Sequence, residues 1–282
     1  MREILYITLV NLRSIPSRAG PTLVMLIGIA GVTGVLVSMV ALRVAWEKPF
    51  LAANGGADRM LILAEDAQII SNSSLGLEHQ AAIEQAPGIA VGPDGRPSVA
   101  YQMQASVTLD ALDGHPKGVV ILGAPPAFYA LRENVRVIDG RMYRPGLHEV
   151  VVGKRASGEF ETTRIGDSIR FNDVWLEVVG KFESGDIMES LFIMDPGAMK
   201  QLMDRTWVNT MHVLVDDEAA FRHALEEHRA LRFQVLSEPV YYTRLTEYAL
   251  GTVGPFFDLI LVVMVAGGCL LYTSDAADEL LG

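Results

Sequence analysis

The stretch from Thr22 to Leu42 (TLVMLIGIAGVTGVLVSMVAL) runs for 21 residues without a charge. As a helix rising about 1.5 Å per residue it matches the roughly 30 Å hydrocarbon thickness of a bilayer. It therefore predicts a transmembrane helix, and the rest of the chain must be arranged on one side of a membrane or the other. A secretory signal is the competing reading, but its apolar region is about 7 to 15 residues long and ends at a small-residue cleavage site. A second apolar stretch, Tyr248 to Ser274, is broken only by Asp258, with Gly254 and Pro255 marking its start or a kink. Half of the residues are hydrophobic while 20% are charged, a mixture that fits a polar domain carrying separate apolar segments.

Residues 1–20 hold Arg2, Arg13 and Arg18 against a single acid, Glu3, so the positive-inside rule places this end in the cytoplasm. Ile4, Leu5, Thr8, Leu9 and Leu12 share one helical face, which makes the arm amphipathic and suited to the inner interface. The expected organisation is a cytoplasmic amphipathic arm (1–20), a first transmembrane helix (21–46), an extracytoplasmic domain (47–247), a second transmembrane helix (248–273) and a tail (274–282). Trp46 and Lys48 stand where outer anchors belong. Ala30, Gly34 and Ser38 recur every fourth residue, with Gly28 and Gly31 nearby, a spacing that lets another helix approach closely. Asp258, near the outer end of the second helix, is read as facing interfacial water rather than as an intramembrane functional carboxylate. The tail SDAADELLG has three acids and no base, against the expectation for a cytoplasmic end. It is read as non-native, because LYTSDAADE looks like a translated sequencing-adapter run.

Residues 47–247 are acidic overall and carry a mixed pattern. Val99, Tyr101, Met103, Ala105, Val107 and Leu109 alternate with more polar neighbours, predicting a strand with one buried face. Shorter strands are expected at 59–63, 119–122 and 149–152, and a hairpin joins 168–171 to 174–179 through Asn172 and Asp173. Helices are expected at 77–85, after Asp195 as N-cap with Pro196 at the first position, and at 218–229 after Asp216. The last helix lies between strands 211–215 and 233–236, a βαβ unit. A second such unit combines 59–63, the 77–85 helix and the long strand. The predicted fold class is an α+β extracytoplasmic domain, a βαβ-containing subdomain made from both chain ends plus an inserted β-rich subdomain at about 115–195, flanked by two transmembrane helices.

Signals for chemistry are absent. Net charge is −11, and no basic stripe is available to bind nucleic acid. The single cysteine, Cys269, allows neither an intrachain disulfide nor a Cys-based zinc site. Gly153-Lys154 and Gly180-Lys181 lack the GxxxxGK[ST] form that cradles phosphates. His79, His115, His148, His212, His223 and His228 contain no HExxH and no i, i+4 pair, and His223 and His228 point to different faces of one helix. There is no GxSxG elbow. Asp216, Asp217 and Glu218 sit at a helix start, where carboxylates complement the macrodipole. Asn72-Ser73-Ser74 is a formal glycosylation triplet of a kind that arises often by chance. No catalytic, cofactor-binding or metal-ligating residue is assigned.

Four stretches, NLRSIPSR, LEHQAAIEQAPGI, VVILGAPPAFYALRENVRVIDGRMYRPGLHEVVVGKRA and IGDSIRFNDVWLEVVGKFES, lie in pieces between residues 11 and 184. With the order of apolar segments around them, they resemble a MacB/FtsX-type ABC transporter permease with its MacB-like periplasmic core domain. The shared pattern is a Gly before a Pro-containing loop, then Gly-Arg, Val-Val-Gly, Gly-Asp and a second Val-Val-Gly. The family continues with two more membrane helices and a cytoplasmic loop that receives the ATPase, so the resemblance implies a C-terminally truncated chain. It also implies a bacterial inner-membrane permease subunit without catalysis or cofactor of its own. A separate ABC ATPase subunit would drive a homo- or heterodimer of permeases toward export, extraction or mechanotransmission, with a periplasmic adaptor as a further partner. The alternatives are a two-pass membrane sensor or receptor with an extracytoplasmic ligand-binding domain, and a membrane-tethered enzyme.

Overall fold

The structure, a computed structural model, describes residues 19–52, 56–132, 134–228 and 230–249, with isolated positions as far as 266. The expectations for arm residues 1–18, Asp258, Cys269 and the tail fall outside the described residues. The chain divides into a compact unit of residues 48–246 and a second unit holding the described residues before and after it.

Helix α1 (Ala19–Ala52) is 34 residues long. Its Ser38 hydroxyl donates to the Gly34 carbonyl at 2.8 Å, which satisfies a polar side chain within the helix's own backbone. Among the described residues no helix is long and apolar enough to cross a membrane.

In chain order the larger unit contains β1 (Arg59–Ala64), α2 (Leu77–Glu84), β2 (Val99–Asp110), β3 (Pro116–Gly123), α3 (Pro126–Ala130), β4 (Arg136–Gly140), β5 (Glu149–Gly153), α4 (Lys154–Ser157), β6 (Ser168–Phe171), β7 (Val174–Glu183), β8 (Phe192–Met194), α5 (Pro196–Met203), β9 (Thr210–Leu214), α6 (Glu218–Glu227) and β10 (Phe233–Ser237). Residues 238–249 are again helical. Four strands lie in the order β10-β1-β9-β2 with every neighbouring pair antiparallel. Each expected βαβ unit is thus a split one: β9-α6-β10 straddles β1, and β1-α2-β2 straddles β9. Two interlocked split units make the ferredoxin-like arrangement, here interrupted between its second and third strands by residues 111–209.

The insertion is wider than the expected 115–195. Its sheet continues from β2 as β3-β8-β5-β7-β4, with β6 also on β7. Strand β2 belongs to both sheets, pairing β9 through residues 99–102 and β3 through 103–110. Five elements escape sequence reading, α4 and the helix at 238–249 among them. Strand β8 is three residues long, α3 has five, and β4 is exposed along its whole length, so none carries a periodic signal.

Alternation along β1 sends Met60 and Ile62 into a cluster with Ile83, Phe221 and Leu225. Leu61 and Leu63 point the other way, against Ile70, Leu236, Tyr241 and Tyr242. An antiparallel sheet commonly leaves one face to water. Here α2 and α6 cover one face, while segment 65–73 and the helix from 238 cover the other.

Caps and turns follow local chemistry. Asp195 caps α5 by accepting from the Ala198 N–H at 2.8 Å. For α6 the cap is Asp217, which accepts from Ala220 N–H at 3.0 Å, and not Asp216. The two Val-Val-Gly sequences end where backbones touch: a Cβ on Gly153 would lie 2.2 Å from the Glu189 carbonyl oxygen, and one on Gly180 would lie 2.2 Å from that of Arg141.

Gly153→Ala is therefore expected to destabilise the chain by about 1–3 kcal/mol, the usual penalty of overpacking. Gly118→Ala, where no atom lies within 4 Å of the added carbon, should stay within about 0.5 kcal/mol of the parent. Urea unfolding of the purified chain, followed by tryptophan fluorescence, measures both.

Candidate functional site

The most concentrated chemistry in the larger unit is a buried polar cluster where the four-stranded sheet, the insertion and helical residues 238–246 meet. Glu238, 1% exposed, is the first helical residue after β10. Its Oε1 accepts from Arg132 Nη2 at 2.8 Å and lies 3.3 Å from His212 Nδ1. Its Oε2 faces Arg59 Nε at 3.4 Å and has no hydrogen bond among the described residues. Arg132, 4% exposed, comes from the turn after α3 and also donates to the Tyr242 hydroxyl at 2.9 Å. Its Nη1 stands 3.9 Å from Asp186 Oδ2.

Each group is held from its own element. His212 sits in the middle of β9, its Nε2 2.8 Å from the side-chain amide of Gln102 on β2 and its ring edge-on to Phe128. Arg59 opens β1 and donates to the Leu131 carbonyl. Asp186, fully buried, accepts from Met188 N–H at 2.8 Å, Asn134 Nδ2 at 2.9 Å and Ser184 Oγ at 2.5 Å. The Arg132 guanidinium lies 5.4 Å from the Phe128 ring centre and 5.9 Å from that of Tyr242, an environment that favours a flat cation.

Burial alone would raise the Glu238 pKa, but the His212 hydrogen bond and the charges of Arg132 and Arg59 outweigh it and hold the carboxyl at about 2. Burial lowers the His212 pKa, against the pull of Glu238. The ring is accordingly neutral near pH 7, with Nδ1–H donating to Glu238. Nε2 faces Gln102 Oε1 at 2.8 Å, and a hydrogen bond to the neutral ring there needs the amide in its opposite orientation. Such a cluster can bind parts together, but it offers no opening to a substrate.

The other residues singled out in the sequence do not converge. Lys154 pairs with Glu183 at 3.1 Å on the surface. His223 pairs with Glu227 at 3.4 Å on an exposed helix face, while His228 ends α6. Ser73 of the glycosylation triplet is buried, its hydroxyl accepting from the Ala64 N–H at 2.9 Å. Among the described residues no group of three or more His, Cys, Asp or Glu could hold a metal ion. A cleft of about 280 Å³ beside α6 and β10 includes Arg222 and Arg232 in its lining. Arg222 is engaged by Glu218 and the Val235 carbonyl, and Arg232 by Glu65.

Comparison with known proteins gives a family match: the model described as MacB-like periplasmic core domain fits residues 22–231. No curated protein matches. Among solved structures, the periplasmic region of MacB from Actinobacillus actinomycetemcomitans is 13% identical, with 65% of this chain and 90% of that chain covered and a TM-score of 0.47. The extracellular domain of the noncanonic ABC-type transporter YknZ from Gram-positive bacteria is 13% identical, covering 63% and 99%, with a TM-score of 0.46. A domain of a putative permease protein from Porphyromonas gingivalis is 14% identical, covering 64% and 90%, with a TM-score of 0.43.

The cluster makes stability depend on acid in two steps. Both groups have folded pKa values below their unfolded ones, so each contributes above the unfolded value and loses its contribution as pH falls. For His212 the loss begins below pH 6.5. For Glu238 it runs from about 4.5 down to about 2. His212→Gln is expected to remove the first step, seen as a flat denaturation midpoint between pH 7 and 5. Glu238→Ala leaves Arg132 buried without its nearest carboxylate and should cost about 3–5 kcal/mol at pH 7, measured by the same urea titration.

Proposed function

We propose that this chain, which belongs to the MacB-like periplasmic core domain family and is a MacB/FtsX-type ABC transporter permease, works as the mechanical link of its transporter. A separate ABC ATPase subunit hydrolyses ATP and moves the membrane segments, and helix 238–249 carries that movement into the outer domain. The observation that carries this reading is the Glu238 cluster: Glu238, at the start of the helix that leads into the second apolar stretch, is tied to the insertion by the buried Arg132 ion pair and to the four-stranded sheet by the half-buried Arg59 and a hydrogen bond with His212. A rigid attachment of this kind passes displacement on, whereas a loose linker absorbs it.

Membrane anchoring is part of the proposal. The uncharged stretch Thr22–Leu42 lies within α1, and Ile27, Val37 and Val40 each expose more than 60% of their surface. Lipid or a neighbouring helix accepts such a surface more readily than water does. The three arginines of the arm support an N-terminus in the cytoplasm and a domain in the periplasm or outside the cell. The working unit is then a dimer of permeases with the ATPase below and an adaptor above, serving export, extraction or mechanotransmission.

Two measurements test this. In a Cys269→Ser background, a cysteine replacing Ser98 should react with a membrane-impermeant maleimide in intact spheroplasts. Labelling only after lysis overturns the orientation. Reconstituted in nanodiscs with a cognate ABC ATPase, the chain should raise ATP turnover several-fold over the ATPase alone. Neither binding nor stimulation would defeat the transporter role.

A further inference from the structure

We propose that strand β4 is a surface for a second copy of this chain, the two β4 edges pairing antiparallel across a two-fold axis at Val137. Such a pair supplies a contact surface for the permease dimer proposed above, and it rests on that reading for two chains held in one membrane.

The sheet ends in two strands, β10 and β4, and an edge strand presents main-chain N–H and C=O groups that another strand can take up. The β10 end is guarded. None of its residues is exposed, and Arg222 donates to the Val235 carbonyl at 2.6 Å. The β4 end is open. All five of its residues are exposed, its sequence RVIDG has neither proline nor lysine, and among the described residues its strand partner is β7 alone. Val137 and Ile138, 40% and 46% exposed, put β-branched apolar surface on this edge. Val137 lies opposite Phe182, a buried member of the cluster that holds Phe128, Val151 and Ile193, so that apolar layer runs out to Val137 and there meets water.

Charge selects the occupant. Arg136 stands in register with Glu183 and Asp139 with Lys181, partners two positions apart on β7, so both charges lie on one face of the sheet. Neither Arg136 nor Asp139 has an ion pair or a side-chain hydrogen bond among the described residues, and Glu183 is engaged by Lys154 at 3.1 Å. The complement of this edge is an extended segment with an acid opposite Arg136, a base opposite Asp139 and apolar residues between them. Read in the antiparallel direction, β4 is itself such a segment. Counting Val137 and Ile138 as one position, as β7 does, the axis sets Arg136 of each copy against Asp139 of the other on one face and Val137 against Val137 on the other. Opposite charges and β-branched pairs directly across strands are stabilising. The extra residue between Val137 and Asp139 favours a copy over an unrelated strand. A bulge spoils the register of a regular partner, whereas a two-fold copy brings its own irregularity to the same point. Five residues a side is small beside the roughly 1,200 Å² of a stable free interface, so the contact suits chains already confined side by side.

The test is disulfide cross-linking of the full chain in membranes, in a Cys269→Ser background. On mild oxidation Val137→Cys should give a covalent dimer, whereas Ser106→Cys, exposed on β2, should stay monomeric. Added to Val137→Cys, either Arg136→Asp or Asp139→Arg sets like charges against each other across the axis and should cut the dimer by about fivefold or more. Both together restore the complement and should restore the yield. No dimer from Val137→Cys, an equal yield from Ser106→Cys, a yield indifferent to the single swaps, or one that the double swap fails to restore overturns the surface. An adduct with a different polypeptide in place of the dimer overturns the second copy as occupant. A charge-dependent dimer of a chain that fails to stimulate an ATPase supports the surface and counts against the transporter role alone, and stimulation without the dimer counts against the surface alone.

Discussion

Two carboxylates, two guanidinium groups and an imidazole lie together where three parts of the larger unit meet. A charge removed from water is tolerated only when paired and hydrogen-bonded, so Glu238, Arg132, Asp186 and Arg59 fix one another's positions as firmly as any apolar contact. The apolar surroundings could be covered in many ways. The charges accept few, because a helix shifted by one turn would leave Glu238 buried beside neither arginine. The geometry of residues 238–246 on the sheet is set by this electrostatic requirement, and Tyr241 and Tyr242 add their area to a register already chosen.

The same requirement explains why β1 is apolar on both faces. Leu61 and Leu63 need a cover, and a helix held in place by Glu238 supplies it together with Ile70 and Leu236. The Tyr241 hydroxyl accepts from the Ile70 N–H at 3.2 Å, which stitches the helix to the segment after β1. The sheet is thus closed by the stretch of chain that follows its last strand. Strand β2 makes the second joint, since its first four residues pair in one sheet and the remainder in the other. Gln102 sits just before the point where the partner changes, and its side chain reaches His212.

Elements whose chemistry is local were legible from sequence. Strand β2 was expected at 99–109 and runs to Asp110, because its alternation is long enough to be unambiguous. Asp195-Pro196 starts a helix as an Asp-Pro pair should, and the Asn172-Asp173 turn joins Phe171 to Val174 as paired residues, with Asn172 at a φ of +54°. The sheet order was not legible. Two βαβ patterns predict strands and helices, but nothing in either says that a strand of the other will be inserted between its own. That interleaving follows from burying both helices on one face of a single sheet. The junction was hidden for a related reason: Arg132 and Glu238 are 106 residues apart, and each reads singly as a solvated charge. One signal was present in His212, a polar residue inside the apolar run Met211–Val215. A titratable side chain in a strand centre needs a buried partner, and Gln102, on the nominally polar face of β2, was the other half of it.

In the mechanical role proposed above, the chain works through the stiffness of its structure. Stiffness comes from dense packing: Phe128, Phe182, Phe192 and Phe221 are almost fully buried, and a close-packed interior transmits displacement instead of absorbing it. Several members of the buried cluster could be replaced by packed hydrophobic side chains with little loss of stability. What such a replacement would remove is the fixed attachment of the helix at Glu238, and in the mechanical role proposed above that attachment is what passes displacement on.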